Sequence, residues 1–281
     1  MKNKLVKGYL KNKLIIYFLQ DDRYVGNVIA STGNYEAYET SIILNNIKKG
    51  NIVVDIGANI GFHTILFADK VGPQGKVYAF EPDPVSYEIL LKNIRVNNLK
   101  NVIAKPLAIS NKKILLNLYK SKTNYGDNRV YASDIFGEKL KINADSLDNL
   151  FNNFFDKSQR ISLLKIDTQG FEPFIIQGAK KLIKQYKPTL FFEYWPYGYF
   201  YSKSNGTTML NYLKKTYKDF YLIDENNEKI VKADIPFINS YCEQLNGYLH
   251  GNLFCTTNRF IKIDLSIKDT ISKLKDRIHL D

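Results

Sequence analysis

Short, β-branched apolar runs recur along the chain, separated by longer stretches in which apolar and polar positions mix. The runs at 52–56, 76–80, 101–105, 161–167 and 189–194 have the length and continuity of strands covered on both faces of a parallel sheet. The stretches between them, 62–71, 84–96 and from about 168 to Tyr186, have helical patterning, and Lys187-Pro188 stops the last one. Further strands are predicted at 114–119 and 139–142 around the polar stretch 121–133, and a helix at 146–155. Alternating strands and helices imply an α/β fold with a mostly parallel sheet. Before this core, apolar runs at 13–19 and 24–30 flank Gln20-Asp21-Asp22-Arg23 and predict a β-hairpin, and 36–48 predicts a helix with Gly50 just beyond it. After the core, Ile267, Ile271, Leu274 and Ile278 repeat at helical spacing. The expected organisation is an extension of hairpin and helix over 1–48, a Rossmann-like domain over 49–260 and an amphipathic helix over 261–281.

Composition narrows the class. A chain of 281 residues, 44% hydrophobic and 24% charged, can bury a full core. Two cysteines, Cys242 and Cys255, exclude a disulfide scaffold and suggest free thiols. No apolar run approaches the ~20 residues of a membrane span, and the basic opening MKNKLVKGYLKNK lacks the hydrophobic region of a secretory signal. The expected location is therefore cytoplasmic. The net charge of +12 raises the prospect of an anionic partner. The lysines are scattered in short pairs, however, and a solvated surface is the favoured reading over a nucleic-acid face.

Chemistry concentrates at the ends of the predicted strands. Asp55, Glu81, Asp167 and Glu193 all fall there, the edge at which ligands collect in parallel sheets. Four carboxylates at one edge point to a site, because unpaired buried charge is costly. Gly57 and Gly61 follow Asp55, but Asn59 and Phe62 stand where G-x-G-x-x-G would have glycines, and no G-K-[ST] follows. Glu81 lies 26 positions after Asp55, close to the ~20-residue offset at which an acid grips a ribose. Such a pocket suits a nucleoside with free ribose hydroxyls, no phosphates and a positive tail, which are the features of S-adenosylmethionine. His63, His250 and His279 are scattered, so no metal site is expected.

The segments 54–62 (VDIGANIGF), 77–82 (VYAFEP) and 164–172 (LKIDTQGFE) together resemble the FkbM-type S-adenosylmethionine-dependent methyltransferases. Residues 34–36 (NYE) and 106–110 (PLAIS) are similar to that family's spacing. The resemblance implies a Rossmann-like class I methyltransferase fold: seven strands, the last antiparallel, with 253–257 as the candidate last strand and 220–224 as its neighbour. It implies S-adenosylmethionine as cofactor, with Asp55, Gly57, Ala58, Asn59 and Gly61 along its methionine part. Glu81 would hold the ribose, Pro82 would flank the adenosine and Ala108 would lie near the adenine. The resemblance implies an O-methyltransferase that acts on a hydroxyl of a small molecule, sugar or lipid.

For a hydroxyl acceptor a base is useful. Asp167 is the first candidate, then Glu172 and Glu193, with Asp127, Trp195 and His63 expected on the substrate side. The aromatic run at 194–201 either walls a pocket or packs under a loop. Two alternatives stand beside this enzyme: an RNA ribose 2′-O-methyltransferase and a cofactor-binding module without chemistry. The RNA reading wants pocket lysines, and the only nearby one, Lys165, is expected to point elsewhere.

Overall fold

The computed structural model describes residues 4–121, 124–132, 137–153, 155, 160–243 and 250–257. The expected helix over 261–281 lies outside them.

The chain opens with an antiparallel hairpin of β1 (Leu5–Tyr9) and β2 (Ile15–Leu19), followed by α1 (Val25–Thr32) and α2 (Ala37–Asn45). The sequence thus placed β2 correctly but paired it with the wrong partner. The run after Asp22 is a helix because the buried Asp22 carboxylate accepts the amides of Tyr24 and Val25, both at 3.1 Å. An aspartate that satisfies free amides at a helix start competes with a hairpin turn for the same sequence. The hairpin then docks by backbone pairing to asparagine side chains. Ile15 N donates to Asn97 Oδ1 (2.8 Å) and Tyr17 N to Asn93 Oδ1 (2.6 Å).

The body continues as β3 (Ile52–Ile56), α3 (Phe62–Val71), β4 (Lys76–Phe80), α4 (Pro84–Val96) and β5 (Val102–Lys105). A side sheet follows, built from β6 (Ala108–Ser110), β7 (Ile114–Tyr119) and β8 (Lys139–Ser146), then α5 (Leu147–Asn153) and β9 (Ile161–Ile166). The single helix expected after β9 is two, α6 (Glu172–Gln177) and α7 (Lys180–Tyr186), broken where Gly178 accepts the Asp148 amide at 2.9 Å. Last come β10 (Thr189–Tyr194), α8 (Pro196–Tyr201), α9 (Gly206–Leu213), β11 (Phe220–Asp224), β12 (Lys229–Ala233), α10 (Ile235–Glu243) and β13 (Gly251–Cys255).

The main sheet has the order β12-β11-β13-β10-β9-β3-β4-β5. Strands β3, β4, β5, β9 and β10 run parallel, and β13 enters antiparallel between β10 and β11. These include the seven strands expected, with 220–224 in the place assigned to it and the last, antiparallel strand at 251–255 where 253–257 was expected. β12 adds an eighth strand at the edge, antiparallel to β11. Its lysines and exposed face keep that edge from pairing further. No helix among the described residues is long and apolar enough to cross a membrane.

Strand alternation divides the core. Val54, Ile56, Leu164 and Ile166 face one layer with α6, α7 and α9. Val53, Leu163, Phe191 and Phe254 face the other, with Ile42 and Ile43 of α2 and Phe67 of α3. The chain runs outward from β3 to β5 on one side and from β9 on the other, so the strand order reverses between β3 and β9. In open α/β sheets a ligand crevice lies at that reversal, beyond the strand C-termini.

Candidate functional site

At the reversal the loop after β3 turns sharply. Gly57 has φ of 78°, and its amide and that of Ala58 both donate to Phe80 O at 3.0 Å. A Cβ at Gly57 would lie 1.8 Å from Asp167 O, so only glycine lets the ends of β3 and β9 come this close. Gly61 (φ 90°) starts α3, and a Cβ there would meet Leu90 Cδ1 at 2.5 Å.

Two cavities open on this loop. The first, of about 220 Å³, lies between the loop, the start of α2 and the ends of β9, β10 and β13. Glu36, Glu39, Lys165, Asp167, Glu193 and His63 are among its walls. The second, of about 80 Å³, lies between the loop, the end of β4 and the side sheet, and is lined by Glu81, Pro82, Ala108, Phe80 and Phe171 among others. Gly57, Asn59, Gly126, Asp167 and Gln169 border both. Glu36, Asn59 and Gln169 hold positive φ (44°, 49° and 54°), a strained conformation for residues with a Cβ that concentrates at functional sites.

Glu81 is held by the backbone. Its Oε2 accepts from Asn59 N and its Oε1 from Asp83 N, each at 2.8 Å. Burial pushes its pKa up to about 8 against these bonds. Both oxygens keep a lone pair for hydroxyl donors. Asn59 Oδ1 is buried with no hydrogen-bond partner among the described residues.

The first cavity is strongly charged. Lys165 is buried, and its Nζ lies 3.1 Å from Asp167 Oδ2. Burial alone would lower its pKa, but Asp167, Asp55, Glu36 and Glu39 together raise it. The Asp167 carboxyl sits at the rim. Its burial opposes ionisation, yet Lys165 and the Gln169 amide (2.9 Å) hold it below the usual range. Burial raises Glu36 to about 7, and burial plus neighbouring acids put Glu39 and Glu193 well above their ordinary values. Glu193 Oε2 has no hydrogen-bond partner among the described residues, while its Oε1 lies 4.0 Å from His250 Nε2. Glu39 Oε2 accepts from Asn252 Nδ2. His63 Nε2 pairs with Thr40 Oγ1 at 3.1 Å, and burial with the Lys165 charge drives its pKa well below 6.5, so it is neutral.

Of the residues singled out in the sequence, Gly57, Ala58, Asn59, Glu81, Pro82, Ala108, Asp167, Glu193 and His63 come together on these walls. Five do not. Asp55 is fully buried beneath the loop and accepts Thr64 Oγ1 at 2.5 Å, so it shapes the loop from below. Gly61 serves the packing of α3 on α4. Glu172 is fully buried and accepts Thr168 N and Oγ1 (2.8 Å each) and Gly170 N (3.1 Å), which leaves it folding the 168–172 turn. Asp127 is engaged by Arg129 through two bonds of 2.7 and 2.9 Å. Trp195 lies under the same guanidinium, 4.6 Å from its ring. Of the aromatic run at 194–201, Tyr194, Trp195 and Tyr199 are buried, with Tyr194 OH on Asn239 and Tyr199 OH on the Glu193 carbonyl, while Phe200 and Tyr201 are exposed. The run lines neither cavity.

Glu36, Glu39 and Lys165 were not anticipated on these walls. Lys165 and Asp167 are two apart, so strand alternation puts them on one face. That signal was present in the sequence. Nothing local indicates that α2 would bring Glu36 and Glu39 across the sheet to them. Among the described residues no group of three or more His, Cys, Asp or Glu is arranged to hold a metal.

A parallel sheet with one inserted antiparallel strand, a glycine turn after its first strand and an acid ending the second define the Rossmann-like fold of class I methyltransferases. A model of the methyltransferase FkbM domain matches residues 55–220, and the chain belongs to that family. Methyltransferase sdnD of Sordaria araneosa is 28% identical over 162 residues, 48% of this chain and 62% of that protein. A tRNA(Phe) (4-demethylwyosine(37)-C(7)) aminocarboxypropyltransferase of Methanocaldococcus jannaschii is 36% identical over 92 residues, 33% of this chain and 35% of its own. The chain thus spans less than two thirds of these relatives. The solved structure of an FkbM methyltransferase from Methylobacillus flagellatus KT aligns with 17% identity and a TM-score of 0.44, over 75% of this chain and 44% of that one.

Proposed function

We propose that the protein is an S-adenosylmethionine-dependent O-methyltransferase that acts on a hydroxyl of a small molecule, sugar or lipid. The observation that carries this reading is Glu81: a buried carboxylate fixed by two backbone amides, facing a cavity that joins a carboxylate-rich one at Gly57 and Asp167. The residues present suit the cofactor. Glu81 would take the ribose hydroxyls, Pro82 and Ala108 with Phe80 and Phe171 the adenine, and Gly57, Ala58 and Asn59 the methionine tail. When bound, the cofactor supplies an electrophilic methyl group on a sulfonium.

The chain's own residues then align the acceptor and manage its proton. Asp167, kept ionised by Lys165, accepts a hydrogen bond from the acceptor hydroxyl and orients it. Glu193, whose pKa is raised and whose Oε2 has no hydrogen-bond partner among the described residues, is the better proton acceptor near neutral pH. His63 stays neutral and packs the wall.

One feature favours the RNA reading: Lys165 does line the cavity. Its charge is committed to Asp167, and Glu36, Glu39 and Glu193 beside it repel a phosphodiester. The hydroxyl of a non-polyanionic acceptor is therefore preferred.

Incubation with methyl-labelled S-adenosylmethionine and fractionated cell extract tests this. Label should enter a small-molecule, glycan or lipid fraction. Asp167→Asn and Glu193→Gln should each cut turnover by about 10²–10⁴-fold while cofactor affinity changes little. Label confined to RNA would support the second reading, and cofactor binding with no label in any fraction would support a module without chemistry.

A further inference from the structure

We infer that the acceptor is a hydroxyl compound carrying a protonated amine, and that Glu36 and Glu39 hold that amine across the first cavity from the Gly57 turn. This rests on the methyl-transfer reading above and adds the class of acceptor to it.

The argument is one of charge balance in a defined space. Glu36, Glu39, Asp167 and Glu193 line the same cavity of about 220 Å³. Lys165, the one lysine or arginine among its described walls, is bonded to Asp167 at 3.1 Å and serves that carboxylate. The other three acids have weaker support. Glu39 is 6% exposed and receives the neutral Asn252 amide on Oε2. Glu193 has a buried Oε2 with no partner among the described residues and a half-exposed imidazole 4.0 Å from Oε1. Glu36 is set on the cavity wall by a left-handed backbone (φ 44°) at the start of α2. With all four ionised, one lysine leaves three formal negative charges. The cofactor, a sulfonium with a zwitterionic tail, carries one net positive charge, so two remain.

Beside a neutral acceptor these acids stay protonated and make no charged contact, and an anionic acceptor would be repelled by any that ionise. A cationic acceptor supplies the missing counter-charge. Burial raises Glu36, Glu39 and Glu193, as expected of acids that share protons until a cation displaces them. The acidity is local, because the chain as a whole has a formal net charge of +12.

The test uses the full chain, methyl-labelled S-adenosylmethionine and the acceptor pool of cell extract, divided in two. One half is treated with acetic anhydride in aqueous bicarbonate, which caps amines and leaves hydroxyls free. Label incorporation should fall at least about ten-fold in the capped half, and the labelled product of the untreated half should bind a cation exchanger at pH 7. For that product's precursor, Glu36→Gln with Glu39→Gln should raise KM at least about ten-fold, while S-adenosylhomocysteine still binds and so reports a folded protein. Equal labelling of both halves, or an unchanged KM in the double variant, overturns the inference and leaves methyl transfer intact. No label in either half overturns the methyl-transfer reading and the inference with it.

Discussion

Lys165 carries the electrostatics of the first cavity. It sits in the middle of the sheet, where an unpaired ammonium would be costly, and is stable there because acids surround it. Replacing it with an apolar residue of similar length leaves Asp167 and Asp55 facing Glu36 and Glu39 without a buried cation. Lys165→Met should cost about 3–5 kcal/mol at pH 7. The loss should shrink at pH 5, where the acids take up protons and no longer need a counter-ion. Urea unfolding at the two pH values measures both quantities. At this scale Glu81 was legible from its offset after the glycine turn. Lys165 was misread because its membership of an apolar run hid the two-residue alternation it shares with Asp167. Glu172 was misread for a different reason: an acid two residues beyond Gly170 can either face a ligand or satisfy its own turn, and only the folded backbone shows that it does the latter.

The elements that form the site come from distant parts of the chain. The first amides of α2 are capped by a residue nearly the whole fold away: Tyr38 N and Glu39 N donate to Glu225 Oε1 and Oε2 at 2.9 and 2.8 Å. This bond pins α2 over the end of the sheet and sets Glu36 and Glu39 on the cavity wall. No local pattern predicts a pairing separated by 187 positions. The strands of the core were legible because each is a self-contained apolar run. The opening hairpin was not, because its pairing depends on whether Asp22 makes a turn between strands or caps a helix. The glycine turn of β3 was legible, and its cause is now explicit. Gly57→Ala would drive a Cβ into Asp167 O and part β3 from β9 where the two cavities meet. Its expected effect is a loss of stability on the order of 3 kcal/mol and of measurable binding of S-adenosylhomocysteine, checked by thermal unfolding and calorimetry.

Over the whole molecule, buried acids make stability depend on pH in an unusual direction. Glu36, Glu81 and Glu172 have pKa values near 7, 8 and 7 in the fold against an ordinary value of 4.5. Between those limits the folded chain binds more protons than the unfolded one, so stability falls as pH rises. The contribution is fully present below about pH 4.5 and is lost through pH 7–8, by up to about 1.4 kcal/mol per pH unit for each group. Scanning calorimetry of the ligand-free protein should show Tm falling from pH 5 to pH 8, with a shallower slope in Glu81→Gln. The positive net charge did not reveal this. It describes the surface, whereas the site gathers carboxylates from α2, β9 and β10 that are dispersed along the sequence.

The central claim is that Glu81 and the Gly57 turn hold the adenosyl cofactor where the two cavities join. Calorimetric titration with S-adenosylhomocysteine tests it directly. The wild-type chain should bind one equivalent, and Glu81→Gln should bind at least about ten-fold more weakly, because an amide nitrogen replaces an oxygen that accepts a backbone amide and faces the ribose hydroxyls. Absence of binding by the wild type, or equal affinity in the variant, would contradict the account.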